Sequence, residues 1–277
     1  MSTSEYTQQG LLTPQQITFY KTFGFLVRRQ VFSPEEMQII EREFESLMLE
    51  ARDGNPFDGK ETQVVGCIER RPVFKSMIED DTRIHGSVEQ LLGPDFTLEE
   101  ELRPETPNSG TYANLCVGDT TWHGDHGWHP SWYQGGDPDP KFVETRYHPS
   151  LKVAFYLDRV TRDTGCLRVI PGTHFVFWPA KHPGDAHHTV GPFTESLASI
   201  HMDIPKNFLP DGTLKQFDVM PRDVPCHAIE SEPGDVIIFN HHLWHASFGG
   251  RAGRRRIALN FRASPKVEAK RRYVQYK

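Results

Sequence analysis

The stretch at 234–262 constrains the fold more than any other part of the sequence. Its composition predicts two β-strands joined by a glycine-rich turn at 248–253. Because side chains alternate across a strand, His245 and Ser247 share one face of the first strand, while Arg256 occupies one face of the second. The face opposite Arg256 is apolar and carries Ile257, Leu259 and Phe261. We therefore expect two adjacent strands that present one polar face and bury the other.

The length and charge of the chain favour one domain and a small ligand. All-β barrels of this length are commonly single domains, and no linker rich in Gly, Ser or Pro interrupts the sequence. Residues 1–277 are therefore predicted to form one domain. The formal net charge of -6 comes from mixed acidic and basic residues, which gives no indication of nucleic-acid binding. We expect a small-molecule partner, and no sequence feature indicates an oligomeric state.

Cysteine spacing and hydropathy predict a cytoplasmic protein. The cysteines are widely spaced and form no Cys-x-x-Cys pair, which argues against a zinc knuckle or a dense disulfide framework. The N-terminal segment lacks a basic stretch followed by an apolar one, and no window approaches eighteen apolar residues. We therefore expect neither secretion nor insertion into a membrane.

Two amphipathic helices are predicted near the N-terminus. The first begins at Thr13 and Pro14 and ends before Gly24, and Ser33 opens the second with a capping-box pattern. A short strand at 25–28 separates them. Apolar residues recur at helical spacing in both, at Ile17, Tyr20, Phe23, Met37, Ile40, Phe44 and Leu47. We expect these helices to pack against the outside of a β core.

The rest of the chain is predicted to be mainly β. A loop is expected at 55–66, a partly helical segment at 72–92 and a strand at 111–117. Strict alternation predicts a strand at 151–157 with Lys152 and Tyr156 on its polar face. A turn, a strand and a second turn follow at 162–174.

A second polar cluster, Trp-His-Gly-Asp-His, lies far upstream of the C-terminal strands. In an extended backbone His123 and Asp125 would point to the same side. Two histidines and one carboxylate form the facial triad of non-haem iron(II) oxygenases, which leaves open positions on the metal. On this reasoning the distal histidine could be His241, His242 or His245.

The motifs occur in an order that identifies a family. They are Leu-Thr-Pro-Gln-Gln-Ile at 12–17, Phe-Gly-Phe-Leu-Val at 23–27, His-x-Asp at 123–125, Thr-Gly-Cys-Leu-Arg-Val-Ile-Pro-Gly-Thr-His at 164–174, Pro-Gly-Asp at 233–235, and a histidine followed eleven residues later by an arginine. In this combination the chain resembles the phytanoyl-CoA dioxygenase family of iron(II)- and 2-oxoglutarate-dependent oxygenases. The resemblance extends over most of its length.

The resemblance implies a mainly β fold: a double-stranded β-helix, the cupin-like jelly roll, with helices packed on one outer face. It also implies iron(II) held by His123, Asp125 and His245, with 2-oxoglutarate bound by Arg256 and Ser247 and O2 as the oxidant. The sequence departs from the usual family pattern after the distal histidine, where Phe248-Gly-Gly-Arg-Ala-Gly replaces an Asn-containing turn. Arg254 would also point inward, but Arg256 lies further inside the strand and better suits a buried carboxylate partner.

Other polar residues are weaker candidates. Asn114 and Lys152 are expected to face inward, where they could contact the other end of the cosubstrate or serve only as polar groups of the barrel wall. A further set could line the substrate pocket or simply pack against the long loop: His126, Trp128, His129, Tyr156, Arg168, His174 and Trp178. The long segment at 176–232 is predicted to form a lid.

These observations predict an oxygenase that oxidises a small molecule, by default through hydroxylation, and releases succinate and CO2. A role in natural-product biosynthesis is the expected context. The alternative from another class is a jelly-roll protein that binds a metal or ligand without redox chemistry. The arginine favours the oxygenase, because a pure binding module does not require an anchor for a cosubstrate.

Overall fold

The computed structural model describes residues 11–98, 100–101, 108–123, 125, 150–172, 174, 226–241 and 243–263. The helices in these ranges are α1 Pro14–Phe23, α2 Pro34–Ala51, α3 Cys67–Arg70, α4 Pro72–Phe74 and α5 Thr82–Leu92, with a π-helical turn at Lys75–Glu79. The strands are β1 Phe25–Arg28, β2 Thr62–Val65, β3 Phe96–Leu98, β4 Glu100–Glu101, β5 Asn108–Ser109, β6 Thr111–Cys116, β7 Thr120–His123, β8 Ser150–Tyr156, β9 Thr164–Val169, β10 His227–Ile229, β11 Val236–Asn240, β12 His245–Gly249 and β13 Arg254–Ala263. Among the described residues, no helix combines the length and the apolar character needed to cross a bilayer.

The two N-terminal helices begin where the sequence predicts. The side chain of Thr13 accepts a hydrogen bond from the backbone N–H of Gln16, and the Gln16 side chain accepts one from the backbone of Thr13. Ser33 and Glu36 form the same reciprocal capping box at the start of α2. α1 ends at Gly24, whose φ of 81° lies in the left-handed region that glycine adopts without strain.

Most described strands belong to two antiparallel sheets. The major sheet has the order β1-β11-β8-β13-β6-β2, with β3 also paired to β13, and the minor sheet has the order β10-β9-β12-β7. β2 lies within the segment predicted as a loop at 55–66, so that prediction is wrong at 62–65. Its four residues pair with β6, and Val64 is buried. Four residues are too few for alternation to distinguish an edge strand from a loop.

Two layers of apolar side chains hold the helices and sheets together. One layer packs the helices against the outer face of the major sheet and includes Ile40, Phe44, Phe155 and Leu259. The other lies between the sheets and includes Ala154 and Ala258 from the major sheet with Leu167 and Val169 from the minor sheet. The fold is therefore a jelly roll with helices on one outer face. The space between the two sheets is where the alternating polar residues of β8 and β13 point.

The two C-terminal strands do not pair with each other. β12 pairs with β7 and β9 in the minor sheet, whereas β13 pairs with β3, β6 and β8 in the major sheet. The prediction of two adjacent strands is therefore wrong. The turn carries the chain from one sheet to the other, and glycines with positive φ at 249, 250 and 253 permit it. Polar and apolar residues alternate in the same way whether the two strands pair with each other or lie in different sheets. The sequence pattern therefore did not distinguish these two arrangements.

Only the end of the predicted lid lies within the described residues. Residues 227–229 form β10, which pairs with β9, and Ser231 forms a bridge with Val160. Residues 176–225 lie outside the described ranges. The lid and the single-domain organisation of 1–277 stay predictions.

Candidate metal and cosubstrate site

The pairing of β7 with β12 places two histidines side by side. His123 and His245 are direct partners in this antiparallel register. Residues directly opposite on antiparallel strands project to the same face, with Cβ atoms about 5 Å apart. For His123 the structure describes the backbone, and the register brings that backbone opposite His245.

The ring of His245 is oriented as a ligand. Its Nδ1 lies 2.8 Å from the backbone oxygen of Leu243. A carbonyl oxygen can only accept, so Nδ1 carries the proton and Nε2 keeps its lone pair. The ring is buried and packs at 4.9 Å, edge to face, against Phe239. Metal-bound histidines commonly have such a second hydrogen bond, which fixes both the tautomer and the ring direction.

Asp125 faces the lone pair of His245. Asp125 Oδ2 is 3.6 Å from His245 Nε2. Two donor atoms that each lie about 2.0–2.2 Å from one metal ion are separated by roughly 3–4 Å, so this pair can share an ion. The backbone N–H of Asp125 donates to the carbonyl of His241 at 2.8 Å, which ties Asp125 to the chain just before β12. Imidazole and carboxylate donors suit non-haem iron(II).

Two of the three sequence candidates for the distal histidine fall within the described residues. His241 Nε2 lies 3.3 Å from Asn260 Oδ1, so it is engaged with β13. His245 instead directs Nε2 toward Asp125, and His242 is outside the described residues. Among the side chains that the structure describes, no three His, Cys, Asp or Glu groups cluster as a metal site. The third ligand position depends on the register of His123.

Lys152 forms an ion pair with Asp125. Its Nζ is 2.7 Å from Asp125 Oδ2 and 5.7 Å from the centre of the Phe239 ring. Lys152 pairs with Asn260 across β8 and β13. The inward direction predicted from alternation is therefore confirmed, and the contact with Asp125 is a feature that the sequence did not indicate.

Arg256 is held by its two neighbours across the major sheet. Asn114 on β6 and Tyr156 on β8 are its direct partners in register. With the Asn114 amide oxygen turned toward the guanidinium, Arg256 Nη2 donates to it at 2.6 Å, and the Tyr156 side chain is a second hydrogen-bond partner. Burial by itself lowers the pKa of Arg256, but Cys116, Tyr156 and Asp125 raise it above its usual value. The guanidinium therefore stays charged, at a fixed position inside the barrel.

The three consecutive arginines have three different environments. Arg255 faces outward, where its Nη2 pairs with Asp158 Oδ1 at 2.6 Å and its Nη1 with Glu45 Oε1 at 3.0 Å. Arg254 faces inward and donates through Nη2 to Ser247 Oγ at 3.3 Å. Arg256 remains the arginine whose partners lie in the middle of the major sheet.

Two residues that could line the substrate pocket, Arg168 and His174, make contacts with backbone carbonyls. Arg168 pairs with Ala246, the residue after His245. Because side chains alternate along a strand, its Cβ points to the face of the minor sheet opposite to that of His245. Its Nη2 donates to the carbonyl of Arg162 at 2.9 Å. His174 packs against Gly24, and its Nε2 lies 3.1 Å from the carbonyl oxygen of Lys21.

The remaining members of that set have other positions. Tyr156 is buried and its side chain is a hydrogen-bond partner of Arg256. His126, Trp128, His129 and Trp178 lie outside the described residues. Burial lowers the pKa of His174 to about 4, so its ring is neutral at pH 7.

Two groups beside His245 were not predicted from the sequence. The carbonyl of Leu243 orients His245, and a backbone contact of this kind leaves no signal in the sequence. Phe239 forms an apolar wall beside both His245 and Lys152. Its inward direction follows from alternation along β11, but its contacts depend on the opposing sheet.

Comparisons with known proteins identify the family and the fold. Residues 20–258 match the family model for phytanoyl-CoA dioxygenase. An ectoine dioxygenase from Nocardia farcinica is 24% identical over 251 residues, which cover 87% of this chain and 74% of that protein. HygX from Streptomyces hygroscopicus, crystallised with nickel and 2-oxoglutarate, superposes with a TM-score of 0.62 at 16% identity, covering 91% of this chain and 88% of that one.

A third relative has the same fold. SnoK, a non-heme α-ketoglutarate-dependent carbocyclase from nogalamycin biosynthesis, gives a TM-score of 0.55 at 15% identity over 91% of this chain and 84% of that one. At these identities the structural likeness establishes the fold and leaves substrates open. The jelly roll expected from the resemblance is confirmed.

Proposed function

The chain belongs to the phytanoyl-CoA dioxygenase family and is a 2-oxoglutarate-dependent non-haem iron dioxygenase; we propose that His123, Asp125 and His245 are its iron ligands. The observation that carries this proposal is the pair formed by His245 Nε2 and Asp125 Oδ2, 3.6 Å apart, beside the position opposite His123. When bound, iron(II) together with 2-oxoglutarate and O2 would supply the oxidation of the substrate, with one oxygen atom of O2 going to the substrate and the other to the succinate formed as the cosubstrate loses CO2.

Arg256 is the proposed anchor for the far carboxylate of 2-oxoglutarate. Its planar fork can donate two parallel hydrogen bonds to a carboxylate. Asn114 and Tyr156 hold the guanidinium from both sides, so little side-chain entropy remains to be lost on binding. Ser247 supplies a hydroxyl from the facing sheet.

Lys152 is proposed to act at the opposite end of the cosubstrate. Its ammonium lies 2.7 Å from Asp125, which places a positive charge next to the proposed metal. A charge there would favour the chelating carboxylate of 2-oxoglutarate. Arg256 and Lys152 are both on the inward face of the major sheet, so the two cations would select a ligand with a carboxylate at each end.

The proposed substrate is a small organic molecule that is hydroxylated. The relative from Nocardia farcinica is named an ectoine dioxygenase, and SnoK comes from nogalamycin biosynthesis. These relatives support a substrate from natural-product metabolism. The sequence carries no basic phosphate cradle that would indicate an acyl-CoA, so the family name alone does not define the substrate. The proposed location is the cytoplasm.

Anaerobic titration with iron(II) and 2-oxoglutarate tests the site. We expect a weak visible charge-transfer band that requires both components and disappears in Asp125→Ala. Absence of the band in the wild type would favour a metal- or ligand-binding protein without redox chemistry. Succinate release across a library of small metabolites would then identify the primary substrate.

A further inference from the structure

We propose that Arg254 is a positioning residue that fixes the Ser247 hydroxyl for the far carboxylate of 2-oxoglutarate. This inference rests on the proposed function of Ser247 and Arg256. Three contacts of the Arg254 guanidinium carry it. Nη2 donates to Ser247 Oγ at 3.3 Å, and Nη1 donates to the carbonyls of Gly118 at 3.0 Å and Gly249 at 2.9 Å.

Arg254 connects the two sheets at the cosubstrate end of the barrel. It starts from β13 in the major sheet, two residues before Arg256 and on the same face. Its guanidinium reaches Ser247 on β12 in the minor sheet. The two proposed anchors of the carboxylate, Arg256 and Ser247, therefore belong to different sheets. Arg254 lies on the same strand as Arg256, and its guanidinium donates to the Ser247 hydroxyl.

Two glycines leave space for the Arg254 side chain. A methyl group built on Gly165 or Gly250 would overlap Arg254 Nη1 in each case. Both glycines also have positive φ, 94° and 69°, so a side chain there would be strained in addition to the overlap. Gly165 belongs to β9 and Gly250 to the turn before β13. The position of Arg254 is thus enclosed on two sides by backbone, which restricts its rotamers.

The hydrogen-bond chemistry gives the Ser247 hydroxyl a direction. A guanidinium has only donors, so Ser247 Oγ must accept from Arg254. The hydroxyl proton is then available for another acceptor, and the nearby positive charge makes it a better donor to an anion. A carboxylate oxygen between Ser247 and Arg256 would receive this proton as a hydrogen bond while Arg256 donates from the other sheet.

The positive charge of Arg254 also favours binding of a carboxylate at this end of the barrel. Its three acceptors are two carbonyls and one hydroxyl, all neutral, and none of its contacts among the described residues is a carboxylate. The neighbouring Arg255, in contrast, is paired with Asp158 and Glu45. Arg254 therefore adds positive charge to the end of the barrel that carries Arg256, while the nearby Asp119 carboxylate accepts from the backbone N–H of Gly249 at 2.6 Å. An anion placed there gains from both arginines.

A double-mutant cycle tests the coupling between Arg254 and Ser247. The affinity of nickel(II)-loaded protein for 2-oxoglutarate is measured by titration calorimetry for the wild type, Ser247→Ala, Arg254→Met and the double variant. We expect each single variant to bind about 10-fold more weakly, and the loss in the double variant to be smaller than the product of the two single losses, because the part of the Arg254 effect that acts through Ser247 is lost only once. Arg255→Met serves as the matched control on the outer face and should keep wild-type affinity.

Several results would overturn the inference. Unchanged affinity in Arg254→Met or in Ser247→Ala, or additive losses in the double variant, would show that Arg254 does not act through Ser247. Arg254→Lys keeps the charge but cannot make the three contacts together, so wild-type affinity in that variant would also contradict the proposal. It serves as the second test if Arg254→Met does not fold, as judged by circular dichroism. If the nickel-loaded wild type fails to bind 2-oxoglutarate, the proposed function falls together with this inference.

Discussion

His123 and His245 lie directly opposite each other on the antiparallel strands β7 and β12. The strands come from distant parts of the sequence, so these two proposed ligands are brought together by the hydrogen bonds of the minor sheet rather than by a loop. Such a backbone frame holds donor atoms within a narrow range of separations, which is what a metal centre requires.

Substitution of a proposed ligand should abolish turnover without unfolding the protein. For His245→Ala and Asp125→Ala we expect no 2-oxoglutarate-dependent succinate release, because each variant loses a donor atom of the pair. The apolar layers that hold the fold do not include either side chain, so circular dichroism should stay close to the wild type. His241→Ala is the control, since His241 contacts Asn260, and it should retain metal binding. If activity survives in His245→Ala and is lost in His241→Ala, His241 rather than His245 is the metal ligand.

The Arg256→Lys variant should bind 2-oxoglutarate at least about 10-fold more weakly, because a charge-assisted hydrogen bond contributes about 1.5–3 kcal/mol. Lysine keeps the charge but loses the planar fork that matches a carboxylate. Titration of nickel-loaded protein measures the change, and Arg255→Lys on the outer face is the matched control. Equal affinities in Arg256→Lys and the wild type would indicate that another cation, Lys152 or Arg254, anchors the cosubstrate.

The ion pair between Arg255 and Asp158 should contribute to stability. Asp158 accepts from the backbone N–H of Arg255 at 2.9 Å and from its guanidinium at 2.6 and 3.0 Å. Both side chains are partly exposed, so Asp158→Asn is expected to lower the free energy of unfolding by only about 1 kcal/mol. Denaturant unfolding measures this change. Asp58→Asn, which removes the more exposed Lys60–Asp58 pair, should have almost no effect, and an equal loss in both variants would argue against a specific role for Asp158.

The stability of the protein should decrease as the pH falls from about 6.5 to about 4 in a way that depends on His174. Burial lowers the pKa of His174 to about 4 in the folded protein, compared with 6.5 as the ordinary value. Between these two pH values the unfolded chain therefore binds more protons than the folded protein. The resulting decrease in the free energy of unfolding grows to roughly 3 kcal/mol at about pH 4. Comparison of unfolding free energies across this range should give a weaker pH dependence for His174→Gln. A pH dependence equal to that of the wild type would assign the loss of stability to other groups.

The sequence alone determined which side chains face the core and which face the barrel interior. Alternation along β8 and β13 separated Lys152 and Arg256 from apolar neighbours such as Leu259, and the capping boxes defined the starts of α1 and α2. These features are local, because backbone geometry over a few residues decides them. The ordered combination of motifs, from 12–17 to the histidine–arginine interval, was sufficient to identify the family.

Only the tertiary structure decided which elements meet. It assigned β12 and β13 to different sheets, placed Lys152 beside Asp125, and directed Arg168 to the other face of the minor sheet. It also gave Arg254 a partner, Ser247, on the opposite sheet. Each of these relationships joins residues through strand pairing or contact across the barrel. Alternation fixes the face on which a side chain lies but carries no information on which strand lies opposite, because that choice depends on packing among segments distant in sequence.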